Sequence, residues 1–217
     1  MRRLRARPVG AFGVALLAVG LGLSACGSGA SNIGLPVPAT ESANPESGST
    51  AGSTPALVAA ANLLPCPVSD PHVAPVANGL PDVTLPCLGN GPPVRLAGLR
   101  GTPTVIPVWA SWCEPCKTEL PIFGDVARTA EGDVRFLGID VADYPEQALS
   151  LAATTKMTIA SVQDPNWSVR APLRLIGPPT TYFVGSDGHI KGTTFGSVSS
   201  AAALKAQIHQ YLNVTIQ

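Results

Sequence analysis

The stretch Trp109–Pro121 reads WASWCEPCKTELP and sets Cys113 and Cys116 one helical turn apart behind two tryptophans. Two thiols at that spacing can close a structural disulfide, cycle between dithiol and disulfide, or supply half of a metal site. The chain holds three further cysteines, Cys26, Cys66 and Cys87. What the five do depends on compartment, because disulfides persist outside the cytoplasm and are rare within it.

The N-terminus speaks to compartment. MRRLRARP carries four arginines and no acid, and it runs into an apolar stretch from Val9 to Leu23 that ends in Leu23-Ser24-Ala25-Cys26. Residues 1–25 therefore read as a signal peptide. The apolar run is shorter than the roughly 18 to 20 residues of a comfortable membrane span; an uncleaved N-terminal membrane anchor stays open as the alternative. Either way, everything downstream lies outside the cytoplasm. Leu-Ser-Ala-Cys resembles the lipobox of bacterial lipoproteins. That resemblance implies acylation of Cys26, which would become the first mature residue and hold the protein to the outer face of the cytoplasmic membrane.

Residues 26–62 are mostly Gly, Ser, Ala, Pro, Thr and Asn, with Glu41 and Glu46 as the charged positions and no aromatic residue. Such a composition buries too little apolar surface to offset its ordering entropy, so it reads as a flexible tether. Residues 63–217 have the length and apolar content of one domain. Removing the four leader arginines from 14 basic residues leaves 10 against 14 acidic ones. The mature protein is mildly acidic without a basic cluster, which argues against nucleic acid as a partner.

With Cys26 assigned to lipid, the remaining cysteines form two pairs, and an even remainder in an exported domain favours disulfides. Cys66 and Cys87 stand in the like contexts Leu64-Pro65-Cys66 and Leu85-Pro86-Cys87. A bridge between them would staple an entry segment with little core of its own. Zinc is the rival, with His72 or His189 completing a set, but the first pair lacks the short knuckle spacing of zinc sites.

Apolar runs and punctuation outline the elements that must position these groups. Thr104–Trp109 reads as a buried strand, and Glu114–Thr129 as a helix with Leu120, Phe123, Val126 and Ala127 on one side. Residues 134–141 form a second strand run, and Pro145–Thr155 a helix opened by proline. Strands follow at 158–162 and 180–184. Ser186-Asp187-Gly188 turns the chain into a hairpin strand over 189–194, and residues 199–212 close as a helix capped by Ser199 or Ser200. Strands alternating with helices, then a hairpin and a helix, describe an α/β sandwich with a central mixed sheet.

WASWCEPC followed by KTELP, then GPPTTYFV and SDGHI, resembles the thioredoxin superfamily. Within it, the likeness is to the membrane-tethered, extracytoplasmic thiol–disulfide oxidoreductases of the TlpA and ResA type. The likeness runs from about Gly79 to the C-terminus. It implies a thioredoxin-like three-layer sandwich in which Cys113, at the N-terminal end of a helix, is the attacking nucleophile and Cys116 the buried resolving thiol. It also implies a pair that cycles without a cofactor or metal. Pro115 would stiffen the link and Trp112 shield one side of the pair. Pro179 takes the place of the family's cis-proline, which packs opposite the cysteines so that the preceding residue can pair with an extended substrate peptide. Here that residue is Pro178, which has no N–H to donate.

Thioredoxins keep a buried Asp two residues before the strand's tryptophan, and Pro107 holds that place. A proline in a central strand removes a ladder donor and points to a bulge. ResA-type proteins carry a Glu three residues after the second cysteine, and Glu119 matches it. Buried beside a thiolate, it would have a raised pKa and accept the proton of Cys116; a solvent-facing position on the helix is the alternative.

The resemblance implies an enzyme that reduces disulfides of exported proteins such as apocytochrome c. A membrane electron donor of the CcdA or DsbD type would recharge it, with the protein acting as a monomer. A DsbA-like thiol oxidase and a binding module with permanently oxidised cysteines remain as alternatives. A peroxidase of the related peroxiredoxin kind is disfavoured, since those need Thr-x-x-Cys and Ala110 stands where that Thr would be.

Overall fold

A computed structural model describes residues 55–130 and 132–217. The leader, Cys26 and the tether as far as residue 54 lie outside the described residues. Within them run α1 (Pro55–Ala61), β1 (Thr84–Leu85), β2 (Val94–Arg95), a 3-10 turn (Leu96–Gly98), β3 (Thr104–Trp109), α2 (Glu114–Thr129) and β4 (Arg135–Val141). Then follow α3 (Pro145–Thr155), β5 (Ala160–Asp164), β6 (Thr180–Val184), β7 (Ile190–Phe195) and α4 (Ala201–Leu212).

Five strands form one mixed sheet in the order β5-β4-β3-β6-β7. β3, β4 and β5 are parallel, because α2 and α3 serve as crossovers, whereas β6 and β7 run antiparallel. Alternation along β3 divides the core: Val105 and Trp109 face α2, α3 and α4, while Ile106 and Val108 face the other way. That opposite layer is not helical. Leu80, Leu85, Val94, Leu96 and Leu99 of the entry segment pack there with Val169, Leu173 and Leu175 of the loop after β5. Gly138 of β4 is required by its neighbours, since a Cβ there would sit 2.7 Å from Trp109 Nε1.

Several elements depart from the sequence reading. α1 forms inside the stretch assigned to the tether, with Leu57 and Val58 against the core and Ala61 buried; three apolar residues at helical spacing suffice once a core is present to receive them. β5 is shifted to Ala160–Asp164, because its ladder with β4 continues to Val141–Asp164. Asp164 ends that strand with its carboxylate accepting from Ser168 N and Oγ and from Val169 N. No bulge occurs at Pro107. The pairing of β3 with β6 continues through it to Thr181, while the β3–β4 pairing skips Ile106 and Pro107 and resumes in the same register at Val108–Ile139. The absent N–H is a gap in one ladder, and the bulge lies instead at Phe183/Val184 in β6 and β7. Ser200, not Ser199, caps α4 by accepting from Ala203 N at 3.1 Å.

β5 would be an open edge, but the entry segment covers it. Leu64 N donates to Thr158 O, Leu88 N to Ser161 O and Gln163 N to Pro86 O. A Cys66–Cys87 disulfide spanning 21 residues ties the cover together, and Cys66 N donates to Asn90 O at 2.9 Å. Loop closure of that span credits the bridge with about 3 kcal/mol. A Cys66→Ser/Cys87→Ser variant is therefore expected to lose about 3 kcal/mol in urea unfolding; an unchanged midpoint would mean that hydrogen bonds alone hold the cover.

Candidate active site

β3 is buried along its whole length and delivers the chain at its C-terminal end to the turn Ala110–Cys113, closed by Cys113 N donating to Ala110 O at 3.1 Å. Cys113 is the N-cap of α2, extended at φ −82° and ψ 98°, with no side-chain cap of its own. Its sulfur therefore lies at the end of the helix where backbone N–H groups are unpaired and the dipole favours negative charge. Glu114 and Pro115 begin the helix. Cys113 and Cys116 are bonded to each other, with Cα atoms 5.3 Å apart. Cys116 is fully buried and Cys113 only 4 % exposed, so the pair is more enclosed than an exposed helix end suggests.

Glu119 follows Cys116 by three residues and therefore shares its face of α2. It is 1 % exposed, which excludes the solvent-facing alternative. One carboxylate oxygen accepts from Val198 N at 2.8 Å and the other has no partner. Burial pushes its pKa up to about 7, against the Val198 N–H, which favours the ionised form. The group is thus poised to gain or lose a proton near neutrality.

Trp112 is half-exposed. Its Nε1 donates to Ala142 O at 3.0 Å, and its ring tilts against Trp167, 6.5 Å away. Arg170 lies over Trp167 at 5.3 Å. Pro178 and Pro179, half-buried, are joined by a cis peptide. The loop opens β6, whose Thr180 pairs with Val108, so it stands at the same end of the sheet as Cys113. The Pro179 carbonyl is taken by Gly196 N at 3.0 Å. Ile176 and Phe195 flank the loop with their side chains in solvent, Phe195 opposite Thr180.

Four groups at this end escaped the sequence reading. Ser111 donates both N–H and hydroxyl to the Asp143 carboxylate, the hydroxyl at 2.7 Å. Asp140, 1 % exposed, lies opposite Trp109 in the β3–β4 register. Its pKa is pushed up to about 8, first by burial and then by the charge of Asp143. Trp167 completes the aromatic pair. A lone acid in the apolar run FLGIDV was the available signal for Asp140. Glu114, the residue after Cys113, is paired with Lys117 at 2.7 Å on the exposed side of the helix, which screens its charge.

A family model described as AhpC/TSA matches residues 76–193, more than half of the chain. The chain belongs to the AhpC/TSA family. The match runs from β1 into β7 and includes both cysteines of the pair. Among curated relatives, the thiol:disulfide interchange protein DsbE of Pseudomonas fluorescens biotype C is 29 % identical over 124 residues, 57 % of this chain and 68 % of that protein. The thiol-disulfide oxidoreductase ResA of Oceanobacillus iheyensis is 31 % identical over 108 residues, 49 % of this chain and 56 % of that one. The match to these relatives thus spans from just over half to about two thirds of their lengths. Among solved structures, DsbF of MTB in mixed oxidized and reduced forms superposes at a TM-score of 0.51 with 25 % identity, covering 58 % of this chain and 94 % of that one. The AhpC/TSA member described here accordingly has a thioredoxin-like fold, and the relatives it resembles include thiol–disulfide proteins such as ResA.

Glu119 and Asp140 both bind a proton more tightly when folded than when unfolded. Between the ordinary carboxylate range and the raised values, the folded protein holds more protons than the unfolded one. The stability these groups contribute is complete at low pH and is lost as pH rises through about 7 and then about 8. Urea unfolding of the oxidised protein should show stability falling across that window, with Glu119→Gln flattening its lower part. A slope identical in the variant would assign the titration to another group.

Proposed function

We propose that the protein is an extracytoplasmic thiol–disulfide oxidoreductase, tethered to the outer face of the cytoplasmic membrane through a lipidated Cys26, that reduces disulfides of exported proteins such as apocytochrome c. The observation that carries the reading is the Cys113–Cys116 disulfide at the start of α2 with the Glu119 carboxyl on the same helix face.

In the reduced protein the Cys113 thiolate attacks one sulfur of a substrate disulfide. That S–S bond breaks, a mixed disulfide forms at Cys113, and the released substrate thiolate takes a proton from water. Cys116 then yields its proton to Glu119 and attacks the Cys113 sulfur. The second substrate thiolate leaves and is protonated, and the enzyme ends as the Cys113–Cys116 disulfide. Two electrons have passed to the substrate. A membrane dithiol carrier of the CcdA or DsbD class would return them, since the space outside the cytoplasm supplies few. Neither step uses a metal or an organic cofactor. Trp112, Ile176 and Phe195 offer an apolar rim for an extended substrate, with Pro115 beside the cysteines and the Pro178–Pro179 loop across from them. Because Pro178 has no N–H, docking relies on carbonyl and apolar contacts.

The direction rests on how far the reduced thiolate is stabilised. The helix end favours it, no histidine stands between the cysteines, and the Glu114–Lys117 pair leaves little net charge beside them. A potential near the thioredoxin value of about −270 mV is expected in glutathione redox buffers, and a value near the roughly −120 mV of DsbA would make the protein an oxidant instead. Limiting iodoacetamide should label Cys113 before Cys116 in the reduced protein, and a Cys116→Ala variant should accumulate mixed disulfides. A Cys116→Ala protein that traps no partner would favour the binding-module alternative.

A further inference from the structure

β3, β4 and β5 are parallel and end in Trp109, Val141 and Asp164, so the loops that leave them meet at the end of the sheet where Cys113 lies. The loop after β5 brings a tryptophan and an arginine that the mechanism above does not use. Trp167 stands at φ 57°, a left-handed backbone that is rare for so bulky a residue. Asp164, 1 % exposed, holds it there: its carbonyl accepts from Trp167 N at 3.4 Å, and its carboxylate accepts from Ser168 N, Ser168 Oγ and Val169 N just beyond. The same carbonyl accepts from Ala142 N at 3.0 Å, and Ala142 O takes the indole N–H of Trp112. One buried residue thus sets both tryptophans.

The two rings meet at 6.5 Å, tilted by 50°, within the range of a favourable aromatic contact. Trp112 nevertheless keeps half of its surface in water, and Trp167 is half-buried. Arg170, exposed, lies over the Trp167 ring at 5.3 Å, which fixes the guanidinium in advance. Its side chain has no ion pair and no hydrogen bond among the described residues. The acids of the adjoining loops are engaged elsewhere, Asp143 with Ser111 and Tyr144 N, Asp164 with Ser168 and Val169 N. A guanidinium stacked on a ring keeps its N–H edge for an anion, and a carboxylate matches that edge with two parallel hydrogen bonds.

We infer that Trp112, Trp167 and Arg170 form a docking platform beside Cys113 for an extended client segment that carries an Asp or Glu a few residues from its cysteine. The rings receive the client's apolar side chains, and Arg170 receives the carboxylate. The contacts of 6.5 and 5.3 Å lead from Trp112, the neighbour of Cys113, out to the guanidinium. An extended chain rising about 3.3 Å per residue spans that path in about three to four residues. The inference rests on the oxidoreductase reading above and adds to it a preference among clients. Because Pro178 withholds one backbone hydrogen bond from the client, side-chain contacts of this kind carry more of the selection.

The experiment uses the reduced full-length protein and Gly/Ser peptides whose single cysteine is held in a mixed disulfide with β-mercaptoethanol. Each peptide carries Glu or Gln about three to four residues from the cysteine, on one side or the other. In the parent, one placement of Glu should be reduced about fivefold faster than its Gln counterpart, the size of a favourable exposed ion pair. That ratio should fall to about one in Arg170→Gln and below it in Arg170→Glu, and in the parent it should shrink as salt is raised. Because the ratio is taken within each variant, a general change in reactivity cancels. A ratio near one for every placement in the parent, or a preference that survives in Arg170→Gln, overturns the platform. A parent that reduces neither the peptides nor hydroxyethyl disulfide overturns the oxidoreductase reading instead. Serine analogues of the peptides report on the platform without any exchange: the Glu form should quench tryptophan fluorescence at lower concentration than the Gln form in the parent and at equal concentration in Arg170→Gln. Parity of the two analogues in the parent overturns the platform.

Discussion

The position of the first residue of α2 is the constraint on which the rest of the redox end depends. A helix end stabilises a thiolate only within its first turn, so an error of one residue in where α2 begins would carry Cys113 out of the useful field. The start is held from three sides. β3 is buried along its length between β4 and β6, Pro115 in the first turn is compatible with a helix start, and the Ala110–Cys113 turn is tied through Ser111 and Trp112 to the loop that opens α3. Because α3 in turn packs on α1 and α2, the whole helical face of the sheet fixes one sulfur.

That arrangement brings buried acid with it. Glu119 and Asp140 lie on either side of the β3–α2 junction, each nearly inaccessible to water and each with one oxygen that lacks a partner. Such groups oppose folding when ionised, and a protein selected for stability alone would hold apolar residues there. Their retention next to a thiol pair fits the need to move protons at neutral pH inside a site from which water is largely excluded. The proline at position 107 belongs to the same account: that strand carries no acid, and buried acids stand on the neighbouring strand and on the helix instead.

Much of this frame is legible in the residues themselves. β3, α2, α3 and β6 fall where apolar runs, a helix-opening proline and Pro-Pro-Thr place them, because each boundary is enforced by a local rule. The misreadings share a different cause. α1 is helical only because a core receives Leu57 and Val58, which composition over a long polar stretch averages away. β5 extends past its apolar residues because Gln163 and Asp164 find backbone and side-chain partners. Asp140 looks like a stray charge in an apolar run until the register places it opposite Trp109. Each of these depends on contacts distant in sequence, whereas the pairing of Lys117 with Glu114 is local, three residues apart on the helix side turned away from the core.

The edge cover raises a question of self-recognition, since a protein that opens disulfides displays one of its own a few strands away. The bridge is protected by the asymmetry of its two sulfurs. Cys87 is the accessible end, but a thiol attacking it must expel Cys66, which is 5 % exposed, with its sulfur 3.3 Å from the carbonyl oxygen of Ser161. A thiolate released there would be desolvated and would face a negative dipole, which makes it a poor leaving group. The buried end cannot be approached by a partner as large as another copy of the protein. Resistance of this bridge to thiol attack is thus a property of which half of the bond is hidden.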